Sequence, residues 1–226
     1  MVIAAILAAG SGSRIGADTP KQYLKISGTP MLRRTAEAFL RHPLVNRVLI
    51  LCPQNWLAKT RQLLADTPAA VLTGSATRTQ TLEIAVRYWQ NHFGNEDDIL
   101  LTHDGARPFV SEQIIGNNID AAQKYHACGT YLACADSLVH AENGFAAKPL
   151  SRDGIYRAQT PQSFRAADLV AAFSRLTDTQ KNALTDACGV FTALGQPVAI
   201  VPGESVNFKI TTPDDLALAE LIAQNL

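Results

Sequence analysis

Residues 6 to 30 read ILAAGSGSRIGADTPKQYLKISGTP. An apolar run gives way to glycines and other small residues, followed by two cations, Arg14 and Lys21. Small side chains at Ala8, Ala9, Gly10 and Gly12 leave backbone N–H groups uncovered, and uncovered amides beside cations suit phosphate oxygens. Two common phosphate loops are excluded. A Walker loop would need Lys-Ser/Thr after its second glycine, where this chain has Ala17 after Gly16; a dinucleotide fingerprint would need glycine where Ile15 stands. What remains is L-A-A-G-x-G-x-R followed by P-K-Q, a loop able to fold Arg14 and Lys21 onto one triphosphate. The glycines alone would serve equally well in a tight turn with two solvated cations. Arg14 and P-K-Q tip the balance toward phosphate.

Other residues gain meaning from company. Asp104, in THDGARP, follows an apolar strand and sits at its carboxyl end. A carboxylate there can hold Mg²⁺, directly or through water, or bond a hydroxyl of an acceptor. Taken alone, it is better read as a cap on the turn before Pro108. The stretch GSATRTQT (74–81) opens a helix whose first amides and small polar side chains can meet a base edge, or simply cap it. Lys209, Thr185, Arg152 and Thr160 lie in NFKIT, LTDA, SRDG and QTPQSF. None of the five histidines has metal-ligand spacing, and no nucleophile motif is present.

The elements that must position these residues alternate. Apolar strands are expected at 2–7, 47–52, 69–73, 98–104, 129–135 and 197–201, and helices at 31–40, 55–66, 77–89, 111–125 and from Pro213 onward. Thr29 is the expected cap of the first helix, with Pro30 at its first position; Ser111 and Thr212 are expected caps of later ones. Strands alternating with helices imply an α/β fold, a Rossmann-like, doubly wound and mostly parallel sheet. Residues 136–156 break the rhythm. Two half-apolar stretches flank an Asn-Gly turn, which predicts a projecting β-arm. Its apolar residues (Leu138, Val139, Phe145, Leu150, Ile155, Tyr156) cannot form a core alone, and a second copy of the chain is the simplest cover.

At 226 residues and 47% hydrophobic, the chain can bury one sizeable core, and a single domain over 1–226 is expected. Twenty basic residues balance twenty acidic ones, so a broad nucleic-acid surface is not indicated. Four scattered cysteines without C-x-x-C spacing read as reduced, mostly buried thiols in the cytoplasm. The apolar N-terminus lacks a basic n-region and breaks at Gly10, too early to span a membrane.

Taken together, LAAGSGSR, PKQYL, HDGARP, ADS, SRDG, QTPQSF, LTDA, NFKIT and PDDLALAE, in this order, resemble the 2-C-methyl-D-erythritol 4-phosphate cytidylyltransferase family of isoprenoid biosynthesis. The resemblance covers nearly the whole chain. It implies CMP transfer from CTP to 2-C-methyl-D-erythritol 4-phosphate, giving 4-diphosphocytidyl-2-C-methyl-D-erythritol and pyrophosphate, with Mg²⁺ held mainly through the CTP phosphates and near Asp104, and a homodimer joined by the β-arm. It gives Arg14 and Lys21 the role of transition-state stabilisers. Arg152, Lys209, Asp104, Ser137, Thr160 and Thr185 would bind the acceptor, with Arg152 able to serve the partner's site. Ala8, Ala9, Gly10, Gly12, Ser75, Ala76, Thr81 and Gly105 would surround the nucleotide. The chain departs from the family's usual residues at Gly74–Ser75–Ala76, Thr81, Gly105 and Ser137; the swaps at 81 and 137 keep a hydroxyl. Rival readings are a cytidylyltransferase for another polyol phosphate such as ribitol 5-phosphate, and a catalytically silent nucleotide-binding module.

Overall fold

The computed structural model describes residues 1–10 and 19–225. Strand β1 (Val2–Leu7) is buried at every position. Its alternate side chains feed two cores. Ile3, Ala5 and Leu7 pack in one with Leu82, Trp89, Leu169 and Phe191; Val2, Ala4 and Ile6 pack in the other with Leu32, Phe39 and Ile115. A strand covered on both faces is what a continuous apolar run encodes.

A short antiparallel pair, β2 (Lys25–Ile26) and β3 (Thr29–Pro30), precedes α1 (Met31–Leu40). Then come β4 (Arg47–Cys52), α2 (Leu57–Leu63), β5 (Ala70–Thr73), α3 (Arg78–His92), β6 (Ile99–Asp104), α4 (Glu112–Tyr125) and β7 (Ala127–Ala133). Strands β8 (Leu138–Glu142) and β9 (Phe145–Leu150) pair only with each other, and β10 (Tyr156–Arg165) returns to the main sheet. The described chain closes with α5 (Ala166–Arg175), α6 (Asp178–Ala183), α7 (Gly189–Thr192), β11 (Ala199–Pro202) and α8 (Pro213–Ala223).

The seven-stranded sheet runs β11-β7-β10-β6-β1-β4-β5. Every pairing in it is parallel except those of β10, which lies antiparallel between β6 and β7. The chain therefore winds from β1 outward to β4 and β5, then crosses to the other side of β1 for β6. That reversal between β1 and β6 is the switch point where open α/β sheets receive ligands. The mostly parallel, doubly wound sheet is the expected one.

Several boundaries differ. Thr29 does not cap α1. Pro30 takes that place in an extended conformation (φ −56°, ψ 135°), because Thr29 and Pro30 pair with Lys25 and Ile26 and the Met31 amide donates to the Leu24 carbonyl at 2.9 Å. Ser111 and Thr212 do cap their helices, accepting from Ile114 N at 3.2 Å and Asp215 N at 3.2 Å. The strand expected at 129–135 spans Ala127–Ala133, and the last one spans Ala199–Pro202. Strand β10 and helices α5 to α7 add to the expected elements. The β-arm is present as the β8–β9 hairpin. Asn143 (φ 51°) and Gly144 (φ 84°) both occupy the left-handed region its two-residue turn demands.

Candidate active site

Three loops leave the carboxyl edge of the sheet, and each begins by extending the hydrogen-bond ladder. Ala8 N donates to Leu51 O at 2.8 Å, Gly105 N to Leu7 O at 3.0 Å, and Gly74 N to Cys52 O at 2.8 Å. These bonds fix the rim. Gly74 is required where the loops after β1 and β5 meet, because a Cβ there would lie 2.6 Å from Ala9 Cβ.

The loops enclose a cavity of about 280 Å³. Its wall includes Ala8, Ala9, Gly10, Ser75, Ala76, Thr81 and Gly105 from the expected nucleotide set, and Lys21, Asp104 and Lys209 from the expected charged set. Residues separated by nearly the whole chain thus converge on the switch point. Arg14 and Gly12 lie outside the described residues.

The polar groups around this cavity are tightly tied. Gln22 is buried, and its amide donates to Ala8 O at 2.6 Å and Gly10 O at 3.0 Å, holding the start of the glycine loop. Lys21 Nζ donates to Ile210 O at 2.7 Å. Ile210 N in turn donates to Ala106 O at 2.9 Å, which seats Lys209 beside Asp104. On the β5 side, the Thr81 hydroxyl accepts from Ser75 N at 3.0 Å and donates to Thr77 O at 2.9 Å. Thr77 and Gln80 form a capping box at the start of α3.

Asp104 is the centre of charge. Its carboxylate meets Lys209 Nζ at 3.0 Å, Arg107 Nε at 3.4 Å and Arg78 Nη1 in a very short contact. Burial alone would raise its pKa, yet the positive charges of Arg78, Lys209 and Arg107 outweigh burial and hold the carboxyl well below the usual carboxylate range. Arg107 is itself buried and clamped, donating to Asn207 O at 2.7 Å and Ala158 O at 3.3 Å. Behind Asp104 lies a second layer. Thr160 is buried, its hydroxyl accepts from Asp104 N at 3.1 Å, and it bonds His103 Nδ1 at 3.0 Å. His103 Nε2 bonds Arg107 O at 3.1 Å, and burial lowers the His103 pKa to about 4, so the ring is neutral near pH 7.

The expected acceptor residues are therefore split. Lys209 and Asp104 face the cavity, and Thr160 supports Asp104 from behind. Arg152 is exposed after β9 and donates to Ala135 O at the base of the arm; Ser137 and Thr185 are also exposed, and none of the three lines the cavity. Arg78, Arg107 and Gln22 join the site without having stood out in the sequence. Their signals are nonetheless there: Arg78 is the first residue of a capped helix behind the glycine–serine turn, Arg107 follows Asp104 by three, and Gln22 closes P-K-Q.

The donor set decides whether a metal could reside here. Among the described residues no group of three or more His, Cys, Asp or Glu could hold an ion. Asp104 is the one carboxylate among the described residues of the cavity wall, and three cations already grip it. These residues do not fit a resident metal.

A doubly wound sheet whose switch point opens on a cation-rich cavity is the architecture of a nucleotide-handling enzyme domain. The family model described as IspD, 2-C-methyl-D-erythritol 4-phosphate cytidylyltransferase, matches residues 2–225, and the chain belongs to that family; it is a cytidylyltransferase. It is 36% identical over 230 residues to the ribitol-5-phosphate cytidylyltransferase of Lactiplantibacillus plantarum, covering 99% of both chains. Among solved structures it resembles the 2-C-methyl-D-erythritol 4-phosphate cytidylyltransferase of Thermus thermophilus, with TM-score 0.79, 30% identity and coverage of 99% and 100% of the two chains. It also resembles the 4-diphosphocytidyl-2C-methyl-D-erythritol synthase of Anaerococcus prevotii, with TM-score 0.82, 25% identity and coverage of 99% and 96%. No described helix is long and apolar enough to cross a membrane.

Proposed function

We propose that this enzyme transfers CMP from CTP to an acyclic polyol phosphate, with ribitol 5-phosphate as the acceptor. The observation that carries the transfer is the charge of the cavity: its described lining holds three cations, Lys21, Arg78 and Lys209, and one carboxylate, Asp104. The reaction brings two polyanions together. A phosphomonoester carries about −1.5 to −2 at pH 7, so its oxygen needs no general base to become a nucleophile. That oxygen attacks the α-phosphorus of CTP, the new P–O bond forms, and the α–β bridging bond breaks with its electron pair leaving on pyrophosphate. The barrier is charge repulsion plus charge growth on phosphoryl oxygens, and fixed cations and amides offset both.

Within this reading Lys21 stabilises the triphosphate together with Arg14, and Lys209 and Arg152 orient the acceptor phosphate. The rim residues Ala8, Ala9, Gly10, Ser75, Ala76, Thr81 and Gly105 surround the nucleotide. Mg²⁺ accompanies CTP, bound by triphosphate oxygens rather than by a carboxylate cage. The exposed arm is covered by a second copy of the chain.

The choice of acceptor rests on the 36% identity, over the full length of both chains, to an enzyme named for ribitol 5-phosphate, against 25–30% for the structures cited above. A second reading has 2-C-methyl-D-erythritol 4-phosphate as acceptor, favoured by the family model and those structures. Pyrophosphate release from CTP, measured with each acceptor and with none, separates them. The expected result is acceptor-dependent release with the higher kcat/KM for ribitol 5-phosphate. A higher value for 2-C-methyl-D-erythritol 4-phosphate establishes the second reading, and no release with either overturns both.

A further inference from the structure

Arg78 joins the two halves of the cavity. It is the first residue of α3, anchored within the Thr77–Gln80 capping box on the side of Ser75 and Ala76. Its side chain crosses to the end of β6 and meets Asp104 Oδ1, while Lys209 holds Oδ2 at 3.0 Å. It thus stands between the segment expected to meet the nucleotide and the lysine expected to meet the acceptor.

The charge count explains what Arg78 is free to do. Asp104 carries one negative charge and meets three cations, of which Arg107 is buried and clamped by two backbone carbonyls. The cluster therefore holds positive charge in surplus, and it is Arg78 and Lys209, not Arg107, that face the cavity. Only Nη1 of the Arg78 fork is bonded among the described residues. A guanidinium carries five N–H donors in a fixed plane, so Nε and Nη2 remain available. Arginine matches phosphate oxygens with paired donors in a way that an ammonium does not.

We infer that Arg78 is a catalytic residue of the cytidylyl transfer. Its Nη1 stays on Asp104 while Nε and Nη2 donate to the α-phosphoryl oxygens as the acceptor oxygen attacks. Asp104 is the post that aims the fork, and Lys209 and the buried Arg107 hold it from the other oxygen. The assignment rests on the reading of the site as a cytidylyltransferase centre.

The test is steady-state pyrophosphate release by wild type, R78A and R78K with the acceptor that wild type uses, with thermal melting in parallel. CTP affinity by calorimetry adds a readout that needs no acceptor. R78A is expected to lose roughly 10²–10³ in kcat, as for removal of one oxyanion donor. R78K is expected to recover no more than about a tenth of wild-type kcat, because one ammonium cannot hold Asp104 and present paired donors together. CTP binding weakens at least about threefold in R78A. A kcat within about threefold of wild type in R78A, or full recovery in R78K, overturns the proposal. If wild type turns over neither polyol phosphate, the acceptor reading fails. The CTP titration then decides alone: weaker binding in R78A supports the contact, and equal binding overturns it.

Discussion

The cavity edge of the sheet and the β8–β9 arm are opposite kinds of structure in one chain. At the cavity, Asp104 is 5% exposed and its three cations come from α3, from the turn after β6 and from the segment before α8. In the arm, Phe145 is 77% exposed and Val139 58%, and every strand partner lies within the hairpin itself. The described part of the cavity is built by long-range contacts within the chain. The arm is a pair of strands with apolar side chains in solvent, and a two-stranded hairpin is marginal in water without something to pack on. The two regions differ in what holds them: the described cavity residues are fixed by long-range contacts within the chain, whereas the arm's strands pair only with each other.

The sharpest way to break that contrast is Asp104→Asn. It leaves Arg107 buried beside two other cations with no counter-charge, and removing one partner of a buried ion pair costs about 3–5 kcal/mol. Urea denaturation is expected to show a loss of that order, and a loss under about 1 kcal/mol would mean that Asp104 does not organise the cluster. The sign with pH follows. Since the folded Asp104 pKa is depressed, its contribution is present above the unfolded value of about 3.9 and is lost as pH falls below it.

Next in size is Lys21→Ala, expected to lower kcat by roughly 10²–10³ with a smaller change in KM. An unchanged kcat in the pyrophosphate assay removes Lys21 from the chemistry. A smaller effect comes from His103, whose pKa is lowered by burial from 6.5 to about 4. The unfolded chain takes up that proton first, so stability falls as pH drops from 6.5 toward 4. Replacing His103 by Gln should flatten the stability curve over that window, and an identical slope in both proteins would contradict the buried neutral ring. Phe145→Asp has the least effect on the monomer, within about 0.5 kcal/mol. It should instead shift sedimentation from dimer to monomer. A wild type that sediments as a monomer would leave the arm without its proposed cover.

These contrasts also mark what the sequence could reveal. Strand β1 and the glycine loop after it were legible from apolar continuity and a local motif, whereas Asp104 and Lys209, which line the cavity, stood out only through the family resemblance. Arg78 and Arg107 were not, because their meaning lies in one shared carboxylate, and Arg78 is 26 residues from it along the chain. Strand β10 escaped for a different reason. Its sequence, YRAQTPQSFR, buries Gln159, Gln162 and Ser163, polar residues that read as surface. They are buried because each is paired: Gln159 Nε2 with Glu204 O at 2.8 Å, Gln162 Nε2 with Asp186 at 2.8 Å, and the Ser163 hydroxyl with Asn118 at 3.2 Å. Thr29 failed as a cap because Pro30 fits an extended pair as well as it fits a first helical turn, and the β2 partner decided between them.

The central claim is that the carboxyl ends of β1 and β6 bring two phosphates together inside a ring of fixed cations. A crystal structure with bound CTP tests it most directly. The expected result is the base against Ser75 and Ala76, the triphosphate beside Gly10, and Lys21 and Arg78 within hydrogen-bond distance of its oxygens. A triphosphate bound elsewhere, with Lys21 still on the Ile210 carbonyl and Arg78 making no phosphate contact, would contradict it.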